Sequence, residues 1–411
     1  MIYRADIIWA GRGQIIRDGG IHVQKGRIVQ LGPFKELRLD NERVQELHDT
    51  ILLPAFANAH TQLDLSHLRG RLHPGTGFVE WIETVSAGRQ GPHGEGRSIR
   101  KGLAQVIGGG TVAVGDISVS GKSAEILHTH GLVHSIVFLE VSGFRPADAQ
   151  RTIDALRRRI EGLMHGKSVR LGISPRSPYA VSLELFGKCI KLGEELDLPM
   201  AIHAAESIAE AEFLMYGTGS IRTLMEKRES LPPNWTPPGK RPIPYLQEIG
   251  ALERSPLLIH CCEVDSDDAA IIARHGCSVA YSPRSSAFFG HAADSLYTLL
   301  DAGVNVALGT NGLASNRSLS MLDEMRFLKL RHPDLGWEQI VQMATTGAAQ
   351  ALGIWGGGVL GVYLPADIVA VDPAGGRDLG QKILGEGSSV EFVLRAGRIL
   401  KKRTTAKKVL V

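Results

Sequence analysis

Cysteine is scarce, and its spacing forms no framework. The four residues, at 189, 261, 262 and 277, make no CxxC pair, which excludes a zinc knuckle or a disulfide scaffold and fits a reducing compartment. A membrane-spanning run is also missing, since no stretch approaches the ~20 apolar residues that a bilayer requires. The N-terminal MIYRADIIWAGRG has no apolar core of the kind a signal peptide needs. Net charge is small. With 46 Lys and Arg against 43 Asp and Glu, the formal charge is +3, which creates no field demanding nucleic acid or an acidic membrane. The basic tail Lys401, Lys402, Arg403, Lys407 and Lys408 reads as a solvated terminus rather than an RNA contact. Gly108-Gly109-Gly110 lacks both the GK[ST] ending and the following helix of a phosphate loop, and reads as the turn into a strand. Ser66 and Ser285 show no base partner, so serine-nucleophile chemistry is unsupported. These absences lead to the expectation of a soluble, cytoplasmic protein with no nucleic-acid or membrane partner.

What the chain does have is apolar residue, 43% of its 411 positions, enough for one large core and a smaller one. Both ends are strand-rich. Ala5–Trp9 is apolar before Gly11 and Gly13. Ile21–Val23 turns at Lys25-Gly26 and resumes at Arg27–Val29. Near the C-terminus, Ala366–Asp372 reads as a strand, and Val390–Leu394 pairs with Arg398–Leu400 around Gly397. Residues 1–50 and 356–411 are therefore expected to form one small β-sandwich domain, because chain termini often lie close together.

Residues 51–355 read differently. Eight short apolar runs alternate with segments of helical period: Ile51–Ala59, Thr111–Ile117, Leu132–Glu140, Val169–Ser174, Pro199–His203, Pro256–His260, Cys277–Tyr281 and Val304–Leu308. Strands buried on both faces have this continuous apolar character. Eight βα units over roughly 300 residues point to a (β/α)8 TIM-type barrel, with an open doubly wound sheet as the alternative. Residues 228–244 break the alternation with six prolines around Trp235. This segment is a stiff loop, readable as a lid or as a surface insertion.

Barrel enzymes take their catalytic groups from the C-terminal ends of the strands. Three of the eight runs end on or next to histidine, His60, His203 and His260, all at that end. Imidazole is a preferred zinc ligand. Glu206, three residues after His203, can point into the same cavity and move a proton between water and a leaving group. Asp116, at the end of the second run, reads as capping a loop, with support of the barrel mouth as the alternative, and His128, His130 and His134 read as surface residues at the opposite end.

The stretches LPAFANAHTQLDLS, SPRSPYAVS, IHAAES, LLIHCC, SVAYSPRSSAFFGH, ALGTNGLASN and GVLGVYLPADIVAVD resemble, in order, the amidohydrolase superfamily in its cytosine- and adenosine-deaminase-like branch. Residues 78–82 and the PRSSAFFGH stretch are most similar to the chlorohydrolase- and aminodeoxyfutalosine-deaminase-like proteins. The resemblance implies metal-dependent hydrolytic deamination of an amino-substituted, purine-like ring. It implies that His60 and His203 bind zinc, or else iron, that Glu206 shuttles protons, and that His260 holds water or substrate. Phe288, Phe289 and His291 would line the substrate rim, and the chain would form a homodimer.

Three site positions depart from the family pattern. Gln62 stands for the second histidine of the first strand, Asn311 for the aspartate of the eighth, and Arg176 for a histidine of the fourth. An amide is a poor zinc ligand beside imidazole, and it cannot serve as a base near neutral pH. If Arg176 points inward, its fixed cation repels a metal or replaces its charge, with Gln62 and Asn311 as neutral partners. The reading adopted is a degraded metal site whose divalent metal is weakly held or lost. The alternative turns Arg176 outward and leaves three histidines on a metal. Two function classes follow: a hydrolase on carbon–nitrogen bonds, slow or altered, or a non-catalytic homologue that keeps the pocket for ligand binding or assembly.

Overall fold

The fold is described from a computed structural model over residues 1–38, 41–163, 169–291 and 295–402. Arg403, Lys407 and Lys408 of the basic tail lie outside the described residues. Strands β1 (Ile2–Gly11), β2 (Gln14–Gln24), β3 (Arg27–Pro33), β4 (Val44–Glu46) and β5 (Ile51–Pro54) open the chain. The second group is β6 (Phe56–Thr61), β7 (Thr111–Ser118), β8 (His134–Val141), β9 (Val169–Pro175), β10 (Ala201–Ala204), β11 (Leu257–His260), β12 (Ser278–Tyr281) and β13 (Asn305–Leu308). Strands β14 (Ile368–Asp372), β15 (Ser389–Arg395) and β16 (Arg398–Lys401) follow.

The terminal strands make one sheet in the order β16-β15-β14-β5-β1-β2-β3, with β4 on β1. The sheet folds back on itself. Ala366 N–H donates to Gly26 O at 2.9 Å just before β14, and Tyr3 on β1 meets Phe392 on β15 with ring centroids 5.5 Å apart. The folded sheet encloses Ile8, Ile21, Leu52, Ile368 and Leu394. Each hairpin turn expected from glycine is present: β2–β3 at Lys25-Gly26 and β15–β16 at Gly397.

Strands β6–β9 and β10–β13 form two four-stranded sheets. Parallel bridges Ile173↔Met200 and Thr61↔Asn311 join them at both edges, so the eight strands close into a barrel. This is the (β/α)8 fold expected from the alternation, and the open sheet is excluded. β7 is buried along its whole length, as its unbroken apolar run requires. One correction concerns the first run. Ile51–Ala59 is not a single strand: β5 belongs to the terminal sheet and β6 to the barrel, with the break at Pro54-Ala55. Proline removes a ladder donor, and the chain uses that point to change sheets.

The chain divides into two compact units, one of Met1–Asn58, Ala104–Ala113 and Ser320–Val411, the other of Ala59–Leu103 and Val114–Leu319. All the candidate site residues fall in the second. Its helices are locally specified: Ser182 caps Leu183–Glu195 by accepting the Leu185 amide, and Asp265 with Asp268 forms a capping box on Ser266–Arg274. Among the described residues no helix is long and apolar enough to cross a membrane.

Candidate active site

His60 lies in β6, one residue from its end, His203 in β10, and His260 ends β11; all three are buried. Their ring centroids are 5.2 Å apart for His60–His203 and 5.6 Å for each of the other two pairs. One ligating atom from each lies within 4.8 Å of the others. The structure thus places His260 with the two histidines expected to bind metal, as a third imidazole. Burial holds all three well below the ordinary histidine range, and their mutual proximity adds to this. A neutral imidazole is the form that binds a cation. His203 Nδ1 is buried without a hydrogen-bond partner among the described residues. Three neutral imidazoles, one with an unsatisfied nitrogen, fit a divalent metal such as zinc.

The loops leaving these strands turn sharply. Ala205, His260, Cys261 and Asn311 all take left-handed backbone conformations, with φ of 49°, 75°, 50° and 54°. Non-glycine residues held there cluster at functional sites. Gly309 shows how tightly the strands converge: a Cβ there would lie 3.0 Å from His60 N and O.

Glu206 lies against the histidine cluster, with Oε1 3.3 Å from His260 Nε2. Burial pushes its carboxyl up to about 8, opposed by the Arg176 guanidinium. Its backbone N–H donates to Glu210 Oε2 at 2.9 Å. Glu210, fully buried, is a residue that sequence reading missed. The available signal was its place one turn into the helix that Ser207 caps.

Arg176 turns inward, as the adopted reading has it, and the outward alternative fails. Its Nη1 donates to Glu140 Oε1 at 3.0 Å, it bonds the Tyr179 hydroxyl, and its charge acts on His203 and Glu206. Its partners are Glu140 and Tyr179 rather than Gln62 and Asn311, because a guanidinium withdrawn from water needs a counter-charge. Glu140, near the end of β8, was overlooked as the last residue of an apolar run; a carboxylate in that position was the signal.

Asn311 is held at both ends of its amide. Nδ2 donates to Ser285 Oγ at 3.0 Å, and Oδ1 accepts the Gly312 N–H at 2.7 Å. The side chain is also hydrogen-bonded to the His60 ring. Ser285 pairs in turn with Ser315 Oγ at 2.8 Å, which makes it a support for Asn311. Gln62 is buried beside this step, where a Cβ on Gly312 would lie 3.1 Å from Gln62 Cβ. Asp116, buried on β7, accepts the Leu63 N–H at 2.9 Å and so ties the loop after β6 to the neighbouring strand.

On the rim, Phe289 contacts Trp81, Phe78 and Phe288 at centroid distances of 5.3, 5.7 and 5.3 Å, and lies 5.5 Å from His291. Burial pushes His291 down to about 4, and its proximity helps to lower His260 as well. The proline-rich segment is packed down as a wall. Trp235 stacks on Phe213 at 4.6 Å and 7°, and the segment bounds a 430 Å³ cavity with Phe144, Pro178 and Tyr245.

The profile of the amidohydrolase family matches residues 51–401, and the chain belongs to that family. It is 28% identical over 384 residues to 5-methylthioadenosine/S-adenosylhomocysteine deaminase of Nitratidesulfovibrio vulgaris, covering 87% of this chain and 80% of that protein. It is 29% identical over 367 residues to aminodeoxyfutalosine deaminase of Deinococcus radiodurans, covering 85% and 84%. Among solved structures, an adenosine deaminase of Xanthomonas campestris with bound zinc superposes with a TM-score of 0.79 at 22% identity, over 98% of this chain and 93% of that one.

Proposed function

We propose that this protein is a metal-dependent hydrolytic deaminase of an amino-substituted, purine-like ring, working from three histidine ligands with no carboxylate ligand and slowed by that loss. The observation that carries the reading is the convergence of three buried, neutral imidazoles with Glu206 3.3 Å from one of them. A divalent metal, zinc before iron, would be held by His60, His203 and His260 and would supply Lewis acidity toward water and ring. Burial favours the protonated form of Glu206, which is placed to deliver a proton to the departing amine. The aromatic rim of Phe288 and Phe289, with His291, gives a flat ring a surface to pack on. Asn311 cannot accept a proton, and the loss of a general base costs on the order of 10²–10⁴ in rate. The deaminase relatives and the zinc of the Xanthomonas neighbour support this chemistry. Four free cysteines accord with a cytoplasmic location, and the family resemblance with a homodimer.

A second reading, a non-catalytic homologue that retains the pocket, is favoured by one observation: the Asn311 amide is engaged by Ser285 and Gly312 and has no carboxylate to offer a metal. One experiment separates the two. Metal per chain is measured after chelator-free purification, and ammonia release is assayed on adenosine-type compounds with zinc added. Bound metal with slow release supports the deaminase. Metal-free, inert protein supports the second reading, above all if Gln62→His with Asn311→Asp gains activity.

A further inference from the structure

The cavity bounded by the proline-rich segment is separate from the histidine centre, since none of the candidate site residues lines it. At 430 Å³ it falls in the size range of small-molecule sites. Its wall is tied down at both ends. Arg145 Nε donates to Glu229 O at 3.0 Å at the start of the segment, and the Gly239 N–H donates to Leu214 O at 3.0 Å near its end. Between these ties Pro232, Pro237 and Pro238, all lining the cavity, each fix their own φ. A wall restrained in this way does not have to be ordered when a ligand arrives, which saves entropy on binding.

Three aromatic rings line the cavity: Phe144, Trp235 and Tyr245. Phe144 and Trp235 have centroids 5.7 Å apart and planes inclined at 63°, so they meet as two sides of a box. Trp235 stacks one face on Phe213 at 4.6 Å, and the opposite face is left for the cavity. The charge in the lining has one sign. Glu184 is its single charged side chain, with no Lys, Arg or His beside it. Glu184 is exposed and makes no ion pair among the described residues; Lys188, one turn along the same helix, donates to Gln150 Oε1 at 2.6 Å instead. The Tyr245 hydroxyl is pushed up to about 12, first by burial and then by the Glu184 and Glu248 carboxylates. Lys240 compensates Glu248 at 2.5 Å, so Glu184 is the carboxylate left with an open valence toward the cavity.

We propose that this cavity binds an organic cation, an alkylated ammonium group seated on Trp235, Phe144 and Tyr245 with Glu184 as its counter-charge. Aromatic faces are negative and attract a cation held within about 6 Å of the ring centre. The apolar remainder of the lining, Val181, Leu214 and the prolines, suits alkyl groups and gives nothing to a strongly hydrated inorganic ion. The site is independent of the deaminase reading, because it shares no residue with the histidine centre.

The test is calorimetric titration of the full-length protein with choline and with its neutral isostere, in which a tert-butyl group replaces trimethylammonium. The expected result is saturable binding of one choline per chain, with the isostere weaker by about tenfold. Glu184→Gln should weaken choline by about fivefold and leave the isostere unchanged. Trp235→Leu should abolish binding of both. Because that substitution also loosens the segment, Glu184→Gln, at an exposed position, carries the test. Choline should further slow proteolytic cleavage within residues 228–244 in wild type. Absence of saturable choline binding in the millimolar range overturns the proposal. So does equal binding of the isostere, which leaves an apolar pocket with no preference for charge, and so does choline binding that Glu184→Gln does not change, which places the cation elsewhere.

Discussion

Replacing Glu140 by glutamine tests whether Arg176 is an inward-facing cation that depends on a single counter-charge. The substitution keeps the shape and removes the charge. Stripping one partner from a fully buried ion pair costs about 3–5 kcal/mol, mostly because the other charge is left uncompensated. Here the Glu140 side chain is 6% exposed, but Arg176 is 23% exposed and regains part of its hydration. The expected loss is therefore about 2–3 kcal/mol, read as a lowered denaturant midpoint at unchanged slope. Arg176→Met alone leaves Glu140 uncompensated and should cost a similar amount. The double substitution removes both charges and should recover most of the loss, so the cycle shows a coupling of about 2 kcal/mol. Zinc affinity gives an independent readout. Arg176 faces His203 and Glu206, so Glu140→Gln should weaken zinc binding and the double variant should restore it. If Glu140→Gln stays within about 0.5 kcal/mol of wild type and leaves zinc affinity unchanged, the guanidinium is hydrated and the inward cation is refuted.

Three further outcomes are expected. Glu206 ordinarily titrates at 4.5 and is raised to about 8 by burial. The folded state therefore holds a proton that the unfolded state has released, and this group lowers stability progressively as pH rises from 4.5 to 8. Glu206→Gln should flatten that fall, by up to about 1.4 kcal/mol per pH unit, in melting curves recorded across the range. Added zinc should raise the melting temperature of wild type, and His203→Ala should abolish the shift, since it removes one of three ligands. Trp235→Ala should cost about 2–3 kcal/mol, less than a fully buried aromatic because Trp235 is only partly buried. It should also speed proteolytic cleavage within residues 228–244, where stacking on Phe213 holds the segment down.

The barrel was legible because parallel strands buried on both faces leave continuous apolar runs, and seven of the eight runs correspond to single barrel strands. The eighth failed at Pro54-Ala55, where an apolar run carries no mark of which sheet each half will join. The histidines could be read because they end strands, and topology then forces the ends of β6, β10 and β11 toward one face. Glu140 and Glu210 could not be read in the same way. Each acquires its role from a partner distant in sequence or from a backbone amide that must turn to meet it, and neither relation has a spacing rule.

The sequence by itself determined the alternation of strand and helix, the strand ends that carry His60, His203 and His260, and the amides at Gln62 and Asn311, since these follow from local pattern and residue chemistry. Only the tertiary structure decided that His260 is a third member of the histidine cluster and that Arg176 faces inward against Glu140. The reason is geometric. Barrel closure and the left-handed turns at the strand ends set distances of a few ångströms between groups tens to hundreds of residues apart, and charge pairing and metal binding depend on those distances.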